Sequence, residues 1–134
     1  MESHRRRLTV VLGIAALMSI MLAGPRATAE VTAQMRIQPV TGPPGKVVQV
    51  RAKGIPGILR CILNPDIRID FSDANGTNTN LATIPFAVTF RTSVTIPATA
   101  PTGRGAVVAW HFVADGGTQC DRADIGSVSF DVTP

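Results

Sequence analysis

Beyond residue 30 the chain holds two cysteines, Cys61 and Cys120, one histidine, His111, and its single tryptophan, Trp110. Thiols can ligate a metal, attack as nucleophiles or join to each other, and an imidazole can bind a metal or move a proton. Two cysteines and one histidine fall short of a four-ligand zinc set. His111 lies in the apolar run Ala106 to Val113, beside Trp110, and reads as a hydrogen-bonded packing histidine rather than a general base. There is no Gly-x-Ser-x-Gly elbow, and the serines stand on strands or strand ends without a recognisable base. Asp66, Asp70 and Asp73, with Asn75 and Asn78, offer oxygen ligands for calcium. They lack the Asp-x-Asp/Asn-x-Asp/Asn-Gly loop and its distant bidentate glutamate. Asp66 and Asp70 alternate with Arg68 and read as a solvated strand face; Asp115, Asp121 and Asp124 read as ordinary surface charge. Asn75-Gly76-Thr77 is a formal glycosylation triplet that a tight hairpin explains more simply. The expectation is a protein without catalysis, bound metal or cofactor.

The cysteines acquire meaning from the N-terminus. Arg5, Arg6 and Arg7 precede an apolar run from Leu8 to Leu22, Gly24 and Pro25 break it, and Ala27-Thr28-Ala29 supplies small side chains. That is the pattern of a secretory signal peptide, too short and wrongly flanked for a membrane span. Residues 1–29 are expected to be cleaved, leaving 30–134 as one domain. Leu22-Ala23-Gly24 is followed by Pro25 rather than cysteine, so no lipid anchor is expected. The general export route is favoured over the twin-arginine one. An oxidising destination and an even cysteine count then argue for a Cys61–Cys120 disulfide.

The leader also carries the net charge. The whole chain is +4, with 13 basic and 9 acidic residues. Arg5, Arg6, Arg7 and Arg26 belong to the leader, as does Glu2, which leaves nine basic and eight acidic groups in the rest. Along the sequence these are interspersed without a run of Lys or Arg. Nucleic-acid binding needs a basic stripe to neutralise phosphates, and none is expected to survive removal of the leader, so no nucleic-acid partner is expected.

Short strands must position these residues. No window beyond the leader sustains an i, i+3, i+4, i+7 apolar repeat, whereas period-two alternation rich in Val, Ile, Thr and Phe recurs. A strand is expected over Met35 to Pro39, with Met35 and Ile37 inward. The corner Thr41-Gly42-Pro43-Pro44-Gly45 follows, then a strand over Lys46 to Lys53 with Val48, Val50 and Ala52 on the buried face. Gly54-Ile55-Pro56-Gly57 ends it. Ile58 to Phe71 is broken near Asn64-Pro65, where a central strand would lose a ladder bond, and Ile67, Ile69 and Phe71 point inward. Asp73-Ala74-Asn75-Gly76 reads as a hairpin turn into Asn78 to Ile84. Phe86, Val88, Phe90, Thr92, Val94 and Ile96 share one face of the longest alternating run. Pro97 to Gly105 makes a second corner, Ala106 to Val113 a central strand, Ala114 to Ala123 a loop, and Ile125 to Val132 the last strand. About seven antiparallel strands separated by turn signals describe an all-β, immunoglobulin-like sandwich.

The motifs "IQPVTGPPGKVVQVRAKGIPG", "DANGT" and "VTIPATAPTGRGAVVAW" together resemble bacterial secreted immunoglobulin-like domains of the IPT/TIG kind, with a Pro/Gly corner opening the domain and another before the sixth strand. Val47-Val48-Gln49-Val50 and Asp73-Ala74-Asn75-Gly76 also resemble, more faintly, the neocarzinostatin group of chromophore-carrying apoproteins. Those use two short-range disulfides where this chain has one widely spaced pair. Both resemblances imply a sandwich, and neither transfers a binding residue.

In such a sandwich the loop before the third strand and the loop after the sixth lie at one end, which brings Cys61 and Cys120 together. Ile58, Leu59, Ile62 and Leu63 flank Cys61, and Arg60 and Arg122 stand beside the cysteines. Leu59, Arg60, Leu63, Asp121 and Arg122 are therefore a candidate contact surface; the favoured alternative is that the apolar members plug the core and the arginines pair with Asp121 or Asp124. The function expected is an exported binding module, secreted or held at the cell envelope, that contacts a protein or envelope partner through its loops. The alternative is a carrier of a small apolar ligand in a cleft of about 300 Å³ or more.

Overall fold

In a computed structural model, residues 33–57, 61, 65–114 and 119–134 are described. The expected leader and the expected contact residues Leu59, Arg60 and Leu63 lie outside the described residues. Eight strands follow in order: β1 (Gln34–Gln38), β2 (Thr41–Gly42), β3 (Val47–Lys53), β4 (Ile67–Ser72), β5 (Asn78–Ile84), β6 (Thr89–Thr95), β7 (Gly103–Ala114) and β8 (Cys120–Val132). The described residues contain no helix.

The alternation in β3 shows why. Val48, Val50 and Ala52 are buried while Val47, Gln49, Arg51 and Lys53 are exposed, as a pleated strand with one wet face requires. β3 pairs antiparallel with β1 on one side and β6 on the other, making a three-stranded sheet. The second sheet runs β2-β8-β7-β4-β5. Ile37, Val50 and Phe90 from the first sheet and Ile69, Phe71, Val107 and Phe130 from the second belong to one buried cluster. The two sheets therefore share a core. Phe71 and Phe130, each almost fully buried, meet edge to face at 6.3 Å and 82°, a favoured aromatic geometry. Gly105 on β7 makes room for this pair: a Cβ there would lie 2.6 Å from the Phe71 ring and 2.6 Å from the Ser72 carbonyl oxygen.

The β4–β5 hairpin turns on Asp73. Its Oδ1 accepts from the Asn75 and Thr77 backbone N–H groups at 2.8 and 3.0 Å, and Gly76 takes the positive φ (+82°) that the turn needs. The carboxylate is thus engaged in holding the turn.

Three expectations change. The run from Phe86 does not stay in register: β6 starts at Thr89, Val88 is 57% exposed, and Phe86 is half-buried. The chain crosses there from the five-stranded to the three-stranded sheet, and Val88 spends its carbonyl on the Ile55 N–H; alternation does not survive a change of sheet. Within the expected loop Ala114 to Ala123, Ala114 and the residues from Cys120 to Ala123 are strand. β7 and β8 form one long hairpin whose ladder continues to Val113↔Asp121 and Ala114↔Cys120, because backbone pairing tolerates the polar residues 121–124 on an exposed edge of the pattern. Thr41 and Gly42, expected in a corner, add a short parallel pairing to Asp131 and Val132.

One irregularity sets which side chains face outward near the cysteines. Between Ala109↔Gly126 and Trp110↔Asp124 the register shifts, leaving Ile125 as the extra residue on β8. The bulge switches parity: Phe130 and Val132 point inward on one side of it, Ile125 on the other.

Candidate functional site

Cys61 and Cys120 form a disulfide with Cα atoms 5.8 Å apart and 59 positions between them in sequence. Cys61 is buried, and its N–H donates to the Phe112 carbonyl at 3.1 Å. Cys120 is the first residue of β8. The covalent link therefore fastens the segment before β4 to the end of the β7–β8 hairpin where β7 passes into β8.

The outer face of the five-stranded sheet beside this link carries a polar–aromatic cluster. Trp110, on β7, is only 8% exposed, although it points away from the shared core. Its Nε1–H donates to Asp70 Oδ2 on β4 at 2.7 Å, and Asp70 Oδ1 accepts from the Asn80 amide on β5 at 3.0 Å. The guanidinium of Arg122 on β8 lies 4.3 Å from the indole centroid, and that of Arg68 on β4 lies 5.3 Å away. Phe112 meets the indole edge at 5.2 Å and 85°. Arg122 Nε also contacts Asp124 Oδ1 at 3.3 Å. Cation–π contacts contribute about 0.5–1 kcal/mol each at exposed positions, and their first effect here is to cover the tryptophan. Asp70 departs from the expected solvated face: it is half-buried and hydrogen-bonded to a tryptophan 40 residues further along the chain.

Of the expected contact residues, Asp121 and Arg122 are exposed on β8 next to Cys120. Arg122 pairs with Asp124, as the alternative arrangement anticipated. His111 faces the interior, 4% exposed, with its ring stacked on Phe86 at 5.8 Å and 14°. On one side the expected hydrogen bond is not found: Nδ1 is buried and has no partner among the described residues. Burial lowers its pKa from the ordinary 6.5, because the charged imidazolium loses its hydration.

The three-stranded sheet carries a second charged surface. β1–β3 pairing sets Arg36 opposite Arg51, and β3–β6 pairing sets Arg51 opposite Arg91. All three are exposed. The linear order shows no basic cluster, and the fold makes one, which corrects the sequence reading. A cavity of about 480 Å³ lies over this row, with Gln34, Lys53 and Thr89 beside the arginines. Ala52 and Phe90 complete its walls, which are therefore part cationic and part apolar.

Compared with known protein families and with characterised proteins, the chain matches no family model and no curated protein. No helix among the described residues is long and apolar enough to cross a membrane.

Proposed function

We propose that the chain is an exported, immunoglobulin-like sandwich that works by binding, without catalysis, and that its disulfide-stapled end meets a protein or envelope partner. The observation that carries this reading is the clamped Trp110. One strand end presents Asp121 and Arg122 to solvent while Arg122 is held by the indole and by Asp124, and the neighbouring disulfide restrains the same end. Such a surface loses little conformational freedom on docking, which favours affinity, and Arg is among the residues most often found at binding hot spots. The IPT/TIG resemblance supports the sandwich assignment, and the leader-like N-terminus together with the disulfide supports export.

The test is retention of the oxidised protein on immobilised cell-envelope and culture-fluid fractions, compared with Asp121→Ala and Arg122→Ala. Retention that falls about tenfold or more in Arg122→Ala, in line with a hot-spot residue, supports the reading. Absence of retention of the parent protein, or equal retention of both variants, contradicts it.

A further inference from the structure

The three strands of the smaller sheet carry four exposed cations, Arg36, Arg51, Arg91 and Lys53, and not one aspartate or glutamate. The pairing register fixes their arrangement. Arg36, Arg51 and Arg91 stand on one line across the sheet, and with strands about 4.8 Å apart the row spans about 10 Å. Like charges placed directly opposite each other across strands are destabilising. This row does so twice, and neither ion pair found among the described residues involves it, since both lie on the other sheet. The repulsion has no compensation within the described fold. An anion supplied from outside would provide it.

The rows beside the arginines narrow the chemistry of that anion. On one side the register aligns Gln34, Lys53 and Thr89; on the other it aligns Gln38, Gln49 and Ser93. These are amides and hydroxyls, with one further cation. The guanidinium fork suits planar or tetrahedral oxyanions, and flanking amides and hydroxyls suit a ligand that is itself rich in hydroxyls. Phe90, the aromatic that lines the groove, is turned into the core, so the described residues of this face offer no exposed ring for a nucleobase to stack on, and no helix among the described residues is there to enter a duplex groove. Among the described residues of this face the one large apolar side chain exposed is Val47, too little for an acyl layer to take up. The ligand must also present several charges at intervals short enough to meet a row of about 10 Å.

From this we infer that the outer face of the β1-β3-β6 sheet binds an acidic polysaccharide, one whose sugars carry carboxylate or sulfate groups, with Arg51 at the centre of the site. The site lies on the sheet opposite the one bearing Trp110, and it stands whether or not the stapled end has a partner of its own.

The full-length protein with its disulfide formed is titrated against alginate and heparin as the acidic polysaccharides. Neutral dextran, poly-glutamate, duplex DNA and anionic phospholipid vesicles serve as comparators, at low and at physiological salt. Arg51→Gln is the site variant, and Arg104→Ala, which alters an exposed pair on the other sheet, is the control. The expected result is saturable binding to at least one acidic polysaccharide, weakened by salt and stronger than to every comparator. Arg51→Gln reduces it at least tenfold without lowering the melting temperature, and Arg104→Ala leaves it unchanged. The inference is overturned if neither acidic polysaccharide binds at low salt, if Arg51→Gln binds as the parent does, if Arg51→Gln loses binding only together with folding, or if DNA, poly-glutamate or vesicles bind more tightly.

Discussion

His111 is where a single side chain most clearly links burial to behaviour. Its imidazole is enclosed and stacked on Phe86, with no partner for Nδ1 among the described residues, and its pKa is lowered by desolvation. The unfolded chain has the ordinary value of 6.5. Between the lowered folded value and 6.5, the unfolded state takes up a proton that the folded state refuses. The contribution is therefore complete above about pH 6.5, declines as pH falls, and stops declining at the folded value. His111→Phe keeps a ring against Phe86 and removes both the proton site and the orphaned nitrogen. Urea unfolding from pH 7.5 to 5 should show this variant at least as stable as the parent at neutral pH and flatter across the window. An unchanged slope would place the pH dependence elsewhere. Trp110 gives a second residue-scale expectation. Asp70→Ala leaves the indole N–H without its partner and should cost about 1–3 kcal/mol. As this is the only tryptophan in the chain, its fluorescence reports the change directly: the emission should shift, and an unaltered spectrum would argue against the Asp70 hydrogen bond.

At the level of elements, the disulfide carries the clearest expectation. Closing a loop of 59 residues is worth about 4 kcal/mol in the chain-entropy account. Cys61→Ser/Cys120→Ser should lose stability of that order in urea, with amide exchange accelerating first at the Cys120 end of β8 and at Phe112. Uniform exchange along β8 would contradict the placement of the link. The sequence anticipated β3 and β5 closely, because alternation and the glycine–proline corners on either side are local signals, and the Asp73 turn writes its own boundaries. It missed the first part of β8. Asp121 to Asp124 look like a loop by composition, and only the partner strand's ladder makes them extended. It placed the start of β6 too early for the complementary reason: Phe86 and Val88 continue the alternation in sequence while the chain is changing sheets. The paired cysteines could be anticipated from the expected export and parity, but the Trp110 cluster could not, since Arg68, Asp70 and Arg122 reach the indole from two other strands and Asn80 on a third holds Asp70.

On the scale of the whole molecule, charge is sorted by layer. Every aspartate among the described residues, from Asp66 to Asp131, lies in or beside the strands and turn of the five-stranded sheet. The three-stranded sheet carries only positive charge. A near-balanced count of acids and bases beyond residue 29 therefore conceals two unlike faces. Registers decide this sorting, and registers are long-range facts that linear spacing cannot display. The same sorting makes the arrangement testable without any ligand. Arg51→Glu converts two cross-strand repulsions into two attractions, and directly opposed charged pairs are each worth roughly 0.2–1 kcal/mol. Thermal unfolding of Arg51→Glu against the parent, at low and at high salt, is the most direct test of the account. The register of the three-stranded sheet predicts a higher melting temperature for the variant at low salt and a gain that shrinks as salt is added. A variant that melts lower at low salt, or whose gain ignores salt, would mean that Arg51 does not stand between Arg36 and Arg91.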